Sequence, residues 1–467
     1  MELPERAFPV RMRRVAIVAL HSRVREVLVV LAESGTVDLA GPLGGGEGPA
    51  LEALRRIESR GPAGRRATPI LARVAPDVDL LERLRGRDVL AGEVELERRR
   101  ASSVEHGSFA LFVGWVPVPQ RVQLAEQLGM LGASLVELPP PRGEDPPTLL
   151  AGARAAQPFR PLLDTYGAVP YQDIDPTVFA TLTYSLMFGM MFGDVGDGLL
   201  IVLAALALRS SRHPRLAGLR RVWPMIAAPG AAAMVFGLLY GEFFGPTKVL
   251  PTLWLAPLDS PTRLLTVAIV AGGGLLAGSH LIGIVNRCRE GGPIAVLTSA
   301  SGLPGLALLL AAALAAVGII AHLVAFTATG LTLGAAAVAL LAIGLRLEAG
   351  DAGAAGEVLI GLFDALLRTA SNVFSFSRLA AFGLMHAAIG KVVLDAAGGL
   401  TGTPGGDIVA AVVFVAGGLV AFALEALVAA VQALRLEYYE LFSRLFTRVG
   451  RPFTPWKLPL MPIEEAS

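Results

Sequence analysis

Seven apolar stretches in this sequence are long enough to cross a lipid bilayer. A helix rises 1.5 Å per residue, so about 20 apolar residues span the hydrocarbon core of about 30 Å. By length, the stretches occupy residues 176–211, 222–245, 264–286, 293–321, 325–346, 356–397 and 407–447. Hydrophobic residues make up 54% of the chain and charged residues only 17%. The sequence therefore predicts a multi-pass integral membrane protein, an all-α bundle in contact with membrane lipids.

The first third of the chain has a different composition and predicts a small soluble α/β domain. "VAIVAL" and "FALFVGWVP" have the character of strands, whereas "SRVREVLVVLAES" and "PQRVQLAEQLGML" have helical apolar spacing. "DLLERLRGRDVLAGEVELERRRASS" is charged on most faces and predicts a short helical extension or hairpin. The proline-rich linker "PPPRGEDPP" follows. The predicted domains are residues 1–165, which include this extension and linker, and the transmembrane residues 166–467.

Charge and motifs exclude several function classes. A net charge of +1 predicts no nucleic-acid partner. Gly390 and Lys391 are followed by Val392, and the preceding glycine has the wrong spacing for a P-loop, so we expect no nucleotide hydrolysis by this chain. Six scattered histidines and one cysteine form no metal-ligand pattern. We therefore expect no catalytic residue, no metal site and no cofactor.

The distribution of arginines predicts an eighth crossing. The rule that positive charges remain inside places three arginine-rich segments in the cytoplasm: 209–221, 287–289 and 444–457. The N-terminus, "MELPERAFPVRMRRVAIVAL", lacks a signal-peptide pattern and is also expected inside. Seven crossings cannot join two cytoplasmic ends. Dividing the first stretch at Gly193-Asp194 gives two membrane-spanning helices of about 17 residues each. The sequence then predicts about eight transmembrane helices, with both termini in the cytoplasm.

The division falls in "GDVGDG", where aspartate and glycine favour a turn. We expect Asp194 and Asp197 to lie in a turn at the outer surface. The alternative is a buried ion path, because an ionisable group at bilayer depth usually lines a site or a water path. Glu242, in the apolar stretch "FGLLYGEFFG", has the same two possible roles.

The last two apolar stretches are each about 40 residues long, so as helices they must tilt or extend beyond the lipid. When successive residues are placed about 100° apart around a helix, both stretches also show a stripe of polar residues along one side. The seventh-helix stripe consists of Asp364, Ser371, Ser375 and Arg378, with His386 displaced by about 80° from Arg378. The eighth-helix stripe consists of Glu425, Gln432, Arg435 and Tyr439. The two stripes predict a functional role for these polar residues within the membrane.

Structural explanations remain open for several of these residues. Asp364 and Arg368 have the spacing of a local helix ion pair. His386 could be a hydrogen-bonded packing residue, and Arg435 could extend its charge to the cytoplasmic interface.

Arg378 and Glu425 have weaker structural explanations. Arg378 has no carboxylate within four residues, and no cation follows Glu425 within four residues. A structural, snorkelling role remains open for Arg378. Otherwise we expect its counter-charge to come from a partner protein.

Four long motifs resemble those of a known family, the large membrane stator subunit of rotary V-type and A-type ATPases, called subunit a or subunit I. In order, the motifs are "MFGMMFGDVGDGLL", "FGLLYGEFFG", "SNVFSFSRLAAFGLMHAAIG" and "LEALVAAVQALRLEYYELFSRLF". "FVGWVP" also resembles the end of the family's cytoplasmic domain. The resemblance covers most of residues 105–460, and it is specific because the motifs agree in both sequence and spacing.

The resemblance implies roles for the polar stripes. Arg378 matches the essential arginine that faces the carboxylates of the rotating c-ring, and Arg435 matches one that assists it. Asp364, His386 and Glu425 match polar residues of the ion half-channels. Together with the other stripe residues, the predicted half-channel set is Asp364, Ser371, Ser375, His386, Glu425 and Gln432.

The function implied by this resemblance is that of a non-catalytic stator subunit coupling H⁺ or Na⁺ translocation to ATP hydrolysis or synthesis. Its partners would be proteolipid c-ring subunits and peripheral stalk subunits of a rotary ATPase complex, in a prokaryotic plasma membrane. Two alternatives are a stand-alone ion transporter or channel with an N-terminal regulatory domain, and a membrane scaffold without an ion role.

The sequence departs from the family pattern at several positions. Asp197 stands where the family often has an aromatic residue or histidine, Asp364 where glutamate is common, and Glu437 where histidine is frequent. The N-terminal half is also shorter than usual and lacks room for the family's long coiled coil.

Overall fold

The chain folds into two compact units. The computed structural model describes residues 8–40, 48–59, 67–141, 143–150, 157–349, 354–401, 405–446 and 448–461. The N-terminal unit combines Pro9–Ala151 with the C-terminal tail Gly450–Ser467. The helical unit contains Met1–Phe8 and Gly152–Val449.

The N-terminal unit is built on an antiparallel sheet of five strands in its described part. Its elements are β1 (Met12–Leu20), α1 (Val24–Ser34), β2 (Asp38–Leu39), α2 (Pro49–Ser59), α3 (Val78–Arg83), α4 (Arg87–Ala101), β3 (Val104–His106), β4 (Phe109–Pro117), α5 (Val118–Gly129) and β5 (Ser134–Leu138). The strand order is β2-β4-β1-β5, and β3 pairs with β4. The two strands and two helices expected from the sequence are confirmed, and α3 and α4 confirm the helical extension.

Alternating residues of β1 supply the centre of this unit's core. Val15, Ile17 and Ala19 are buried because successive side chains of a strand point to opposite faces. They belong to the same apolar cluster as Leu28 of α1 and Leu124 of α5. Both helices therefore pack one apolar face against the sheet.

The C-terminal tail is part of this core, which the sequence did not predict. Trp456 is buried in the same cluster as β1, and its backbone N–H donates to the carbonyl of Val37 at 2.9 Å. The backbone N–H of Leu71 donates to the carbonyl of Pro459, also at 2.9 Å. The segments before and after the apolar helices thus form one domain.

The helical unit contains the apolar helices. Its elements are α6 (Arg160–Tyr166), α7 (Thr177–Met191), α8 (Val195–Ser210), α9 (Trp223–Tyr240), α10 (Pro261–Thr298), α11 (Leu303–Ile320), α12 (Val324–Ala349), α13 (Ala354–Ser375), α14 (Ser377–Gly398), α15 (Gly406–Leu436), a π-helical segment (Glu437–Phe442) and α16 (Ser443–Leu445). Six helical segments of the described residues are long and apolar enough to cross a membrane: Leu219–Tyr240, Pro261–Thr298, Leu303–Ile320, Val324–Leu347, Ala355–Gly398 and Gly406–Leu445. The helices α7 and α8, with 15 and 16 residues, are shorter.

Two boundaries in this unit bear on the sequence predictions. The predicted division of the first stretch is confirmed, since α7 ends at Met191 and α8 begins at Val195. The predicted span 293–321 is divided in the structure. Non-helical backbone at Gly292, whose φ is 70°, separates residues 293–298 from the preceding part of α10, but the next helix, α11, begins only at Leu303. Pro293 has no backbone N–H, and glycine tolerates a positive φ, so the chain bends sharply at this point.

The two long helices that carry the polar stripes are not regular throughout. A single residue, Phe376, separates α13 from α14, and Arg378 lies in the first turn of α14. The helix α15 passes into the π-helical segment, a conformation that often occurs at functional sites. Ser279 of α10 donates its hydroxyl to the carbonyl of Leu441 at 2.7 Å, which satisfies one acceptor of this irregular backbone.

Candidate functional site

The helical unit buries an unusual number of ionisable side chains. They include Asp173, Asp194, Asp197, Glu242, His280, Arg287, His386, Glu425, Glu437 and Glu440. A buried charge is strongly unfavourable unless it is paired or hydrogen-bonded, so each of these groups needs a partner or a proton. Several of them gather in two places, which we call the His386 cluster (Asp197, Glu242, His386 and Glu425) and the Arg378 pair (Arg378 and Glu440).

The centre of the His386 cluster is a direct side-chain contact between α14 and α15. His386 Nδ1 contacts Glu425 Oε2 directly. His386 Nε2 lies 4.0 Å from Glu242 Oε2, beyond the end of α9. The ring of Phe192 packs against the imidazole with centroids 4.8 Å apart. His386 and Glu425 were each predicted from the sequence, but not as partners, because they are 39 residues apart.

Asp194 holds the turn before α8 and is not exposed. Its Oδ1 accepts hydrogen bonds from the N–H groups of Asp197 at 3.0 Å and Phe244 at 2.9 Å. Its Oδ2 accepts from the N–H of Gly245 at 2.7 Å. The first of these bonds is an N-cap of α8. The turn expected at this aspartate is therefore present, but Asp194 and Asp197 are 0% and 9% exposed, so both carboxylates are buried in the helical unit.

Asp194, Asp197 and His386 also satisfy a distance criterion for metal binding. Each offers one ligand atom, and these atoms lie within 4.8 Å of one another. The sequence did not indicate this group, because its members come from α14, the turn before α8 and the first turn of α8. The oxygens of Asp194 already accept three backbone hydrogen bonds, so its structural role accounts for its position.

A cavity of about 360 Å³ adjoins the His386 cluster. Its wall includes Asp197, Leu200, Phe244, His386, Phe414 and Glu425. Within the described part of the chain, His386 Nε2 and Glu425 Oε1 of this wall are buried without a hydrogen-bond partner, as is Oε2 of Glu242, which does not line the cavity. The wall is otherwise mainly apolar, so the cavity combines a hydrophobic lining with a few convergent polar groups.

The Arg378 pair corrects one expectation. Arg378 Nη2 donates to Glu440 Oε1 at 2.9 Å, and Arg378 Nε donates to the carbonyl of Ser375 at 3.0 Å. The side chains of Arg378 and Glu440 are 23% and 9% exposed. The counter-charge expected from a partner protein is thus present within the chain, on the π-helical segment. Glu440 was missed because it lies 62 residues from Arg378.

Comparisons with known proteins agree with the motifs. Residues 106–260 match the family model of the V-type ATPase 116 kDa subunit family. The chain is 30% identical over 376 residues to the A-type ATP synthase subunit I of Aeropyrum pernix, covering 69% of this chain and 52% of that protein. It is 28% identical over 377 residues to the A-type ATP synthase subunit I of Thermococcus kodakarensis, covering 75% and 54%. The chain belongs to the subunit a/I family. It spans about half the length of these curated relatives.

The remaining predicted residues of this subunit a/I chain lie outside the two buried groups. Asp364 and Arg368 form an exposed i,i+4 ion pair with a distance of 2.7 Å, as the local explanation predicted. Arg435 is exposed and forms no ion pair among the described residues. Ser371 is exposed, and Ser375 is half-buried and supplies a carbonyl to Arg378. The half-buried Gln432 has a buried Oε1 without a hydrogen-bond partner in the described residues.

Exposed apolar side chains surround these exposed polar groups. On α13 they include Leu359, Ile360, Phe363 and Phe374, and on α15 they include Leu424, Leu427 and Val431. Such a face suits lipid or the helices of another membrane protein better than water.

Proposed function

We propose that this chain is the membrane stator subunit of a rotary V/A-type ATPase, which forms the ion half-channels against a ring of proteolipid c subunits. It couples H⁺ or Na⁺ translocation to ATP hydrolysis or synthesis on other subunits and has no catalytic role of its own. The observation that carries the proposal is the cavity that ends on the buried His386–Glu425 pair inside apolar helices. Relatives that bear the name A-type ATP synthase subunit I support the assignment.

The cavity beside the His386 cluster is one half-channel. Its volume of about 360 Å³ far exceeds the roughly 30 Å³ of one water molecule. Buried atoms of Glu242, His386 and Glu425 without partners in the described residues provide sites for water and protons. Asp197 extends the same wall toward the turn before α8. Protons or ions then move along these side chains toward the ring.

Arg378 is the barrier between the two half-channels. A ring carboxylate at about 4 Å from its guanidinium is stabilised as the anion by roughly 4 kcal/mol at an effective dielectric of about 20, which favours ion release there. Glu440 holds the guanidinium in place and offsets part of its charge. Arg435, exposed on the following helix, assists at the same surface, and the polar residues Asp364, Ser371, Ser375 and Gln432 line the second path.

The arrangement in the membrane follows from the same proposal. The short helices α7 and α8 each cross the bilayer, which gives eight crossings, an even number. Both termini are cytoplasmic in a prokaryotic plasma membrane, and the N-terminal unit contacts the peripheral stalk. A cysteine at Val195, in a Cys288→Ser background, should react with a membrane-impermeant thiol reagent added to intact cells. Reaction only from the cytoplasmic side would reject this topology.

The function is tested by purifying the chain with its complex and measuring ATP-driven ion pumping. Arg378→Lys should assemble with ring and stalk subunits yet lose coupled pumping, because a compact ammonium cannot reproduce both guanidinium contacts. Arg346→Lys is the matched control, since Arg346 is exposed on α12 and belongs to neither proposed path, and it should pump normally. Near-normal pumping by Arg378→Lys would reject the barrier role. Ion flux in liposomes by the chain alone would instead indicate a stand-alone transporter.

A further inference from the structure

A third buried carboxylate, Glu437, lies outside both the His386 cluster and the Arg378 pair. It is the first residue of the π-helical segment, and its side chain is fully buried. Thr183 of α7 is its hydrogen-bond partner, with the threonine Oγ1 at 2.9 Å from Oε1 and 2.8 Å from Oε2. Among the described residues, no arginine, lysine or histidine forms an ion pair with Glu437. The carboxyl group is therefore contacted by one neutral hydroxyl.

The hydrogen atoms available at this contact indicate the protonation state. The hydroxyl of Thr183 also lies 2.9 Å from the carbonyl of Phe179, four residues earlier on α7. A threonine hydroxyl has one hydrogen to donate and can accept others. It cannot donate to both Phe179 and Glu437. If Glu437 carries a proton, its O–H donates to Thr183, whose own hydrogen remains for Phe179, and every group in the chain of bonds is satisfied.

The surroundings of Glu437 stabilise its ionised form much less than its protonated form. A carboxylate has two oxygens that accept several hydrogen bonds, and here a single hydroxyl hydrogen is offered to both. Among the described residues, the phenols of Tyr184 on α7 and Tyr438 on the π-helical segment interact electrostatically with Glu437, and neither is a cation. An unpaired carboxylate that is removed from water usually takes up a proton.

We propose that Glu437 and Thr183 form a proton-binding site in which Glu437 is protonated at neutral pH and donates its O–H to Thr183. This assignment does not depend on the function proposed above. In a subunit that moves protons, the site adds a group that holds a proton three residues before Glu440, the partner of Arg378.

Infrared difference spectroscopy of the purified full-length chain tests the site at neutral pH. A protonated carboxylic acid gives a carbonyl-stretch band that a carboxylate lacks. Glu437→Gln should remove one such band, whereas Glu440→Gln should retain it, because Glu440 is ion-paired with Arg378. Thr183→Val should shift the band to higher frequency, since the acid loses its acceptor, and Thr183→Ser should leave it nearly unchanged.

Two other results of this experiment would overturn the proposed proton-binding site. If Glu437→Gln removes carboxylate bands and leaves the acid region unchanged, Glu437 is ionised and the proposal is wrong. If Glu437→Gln does not accumulate, Thr183→Val decides: a shift in the acid region supports the site, and a change confined to the carboxylate bands overturns it.

Discussion

The ion pair between Arg378 and Glu440 determines how strongly Arg378 can hold a second carboxylate. Under the proposed function, a carboxylate of the c-ring must approach Arg378 and leave again in every step of rotation. Glu440→Gln keeps the shape of the side chain and one acceptor oxygen for Arg378, but it removes the negative charge. We expect the ring carboxylate to bind Arg378 more tightly in this variant and to leave more slowly.

The size of this effect follows from the geometry. Arg378 Nη2 and Glu440 Oε1 are 2.9 Å apart, and both side chains are largely shielded from solvent. A ring carboxylate on the other side of the guanidinium would lie about 6 Å from Glu440, and at an effective dielectric of about 20 the two anions would repel by about 3 kcal/mol. Since about 1.4 kcal/mol changes a rate tenfold, losing this repulsion slows release by up to about 100-fold.

The assay is ATP-driven ion pumping by the assembled complex, with ring and stalk subunits confirmed in each preparation. Glu440→Asp is the matched control, because it keeps the charge and should slow pumping much less than Glu440→Gln. Pumping by Glu440→Gln at the wild-type rate would refute the reasoning, since the charge of Glu440 would then have no influence on the carboxylate that Arg378 holds.

Three further predictions concern other parts of the chain. His386→Ala and Glu425→Gln should each slow ion flux through the assembled complex and shift its pH dependence, because each substitution leaves the other buried residue without its partner. Unchanged ion flux in both variants would indicate that the two residues have packing roles. Trp456→Ala should lower the free energy of unfolding of the N-terminal unit by about 3–5 kcal/mol, measured by proteolysis across a series of urea concentrations. An unchanged urea midpoint of unfolding would mean that the tail does not stabilise this unit. Burial raises the pKa of Asp38 above 3.8 despite nearby Arg451, so the folded unit binds a proton that the unfolded chain releases. The urea midpoint of unfolding should therefore fall as pH rises from 3.8 to the raised pKa, and Asp38→Asn should abolish this fall.

Elements whose signal is local were predictable from the sequence. The strands β1 and β4 and the helices α1 and α5 follow from apolar spacing within about a dozen residues. The turn at Asp194 follows from its turn-forming residues and the need for an even number of crossings. These features need only neighbouring residues, so folding did not alter them.

Pairings between distant residues were not predictable. Helical spacing indicates partners of Arg378 and Glu425 only within about four residues, whereas their actual partners lie 62 and 39 residues away. The contact between Thr183 and Glu437 spans 254 residues. A polar stripe shows which side of a helix is polar, but the packing of helices decides which charges meet. The insertion of Trp456 into the N-terminal core was missed for the same reason.

The buried carboxylates of the helical unit differ in how they are stabilised, and this difference indicates which of them can exchange protons. Three backbone N–H groups hold Asp194 in place, and the guanidinium of Arg378 holds Glu440, so both carboxyl groups have strong and permanent partners. Within the described residues, Glu437 is hydrogen-bonded by the hydroxyl of Thr183, and Glu242 Oε2 lies 4.0 Å from a histidine nitrogen without a hydrogen-bond partner. A group that carries protons must be stable both with and without one, so strong and permanent partners would stop transfer. We therefore expect proton movement to involve the weakly partnered Glu242, while Glu437 holds its proton and the strongly held Asp194 and Glu440 shape the helices and the charge of the barrier around them.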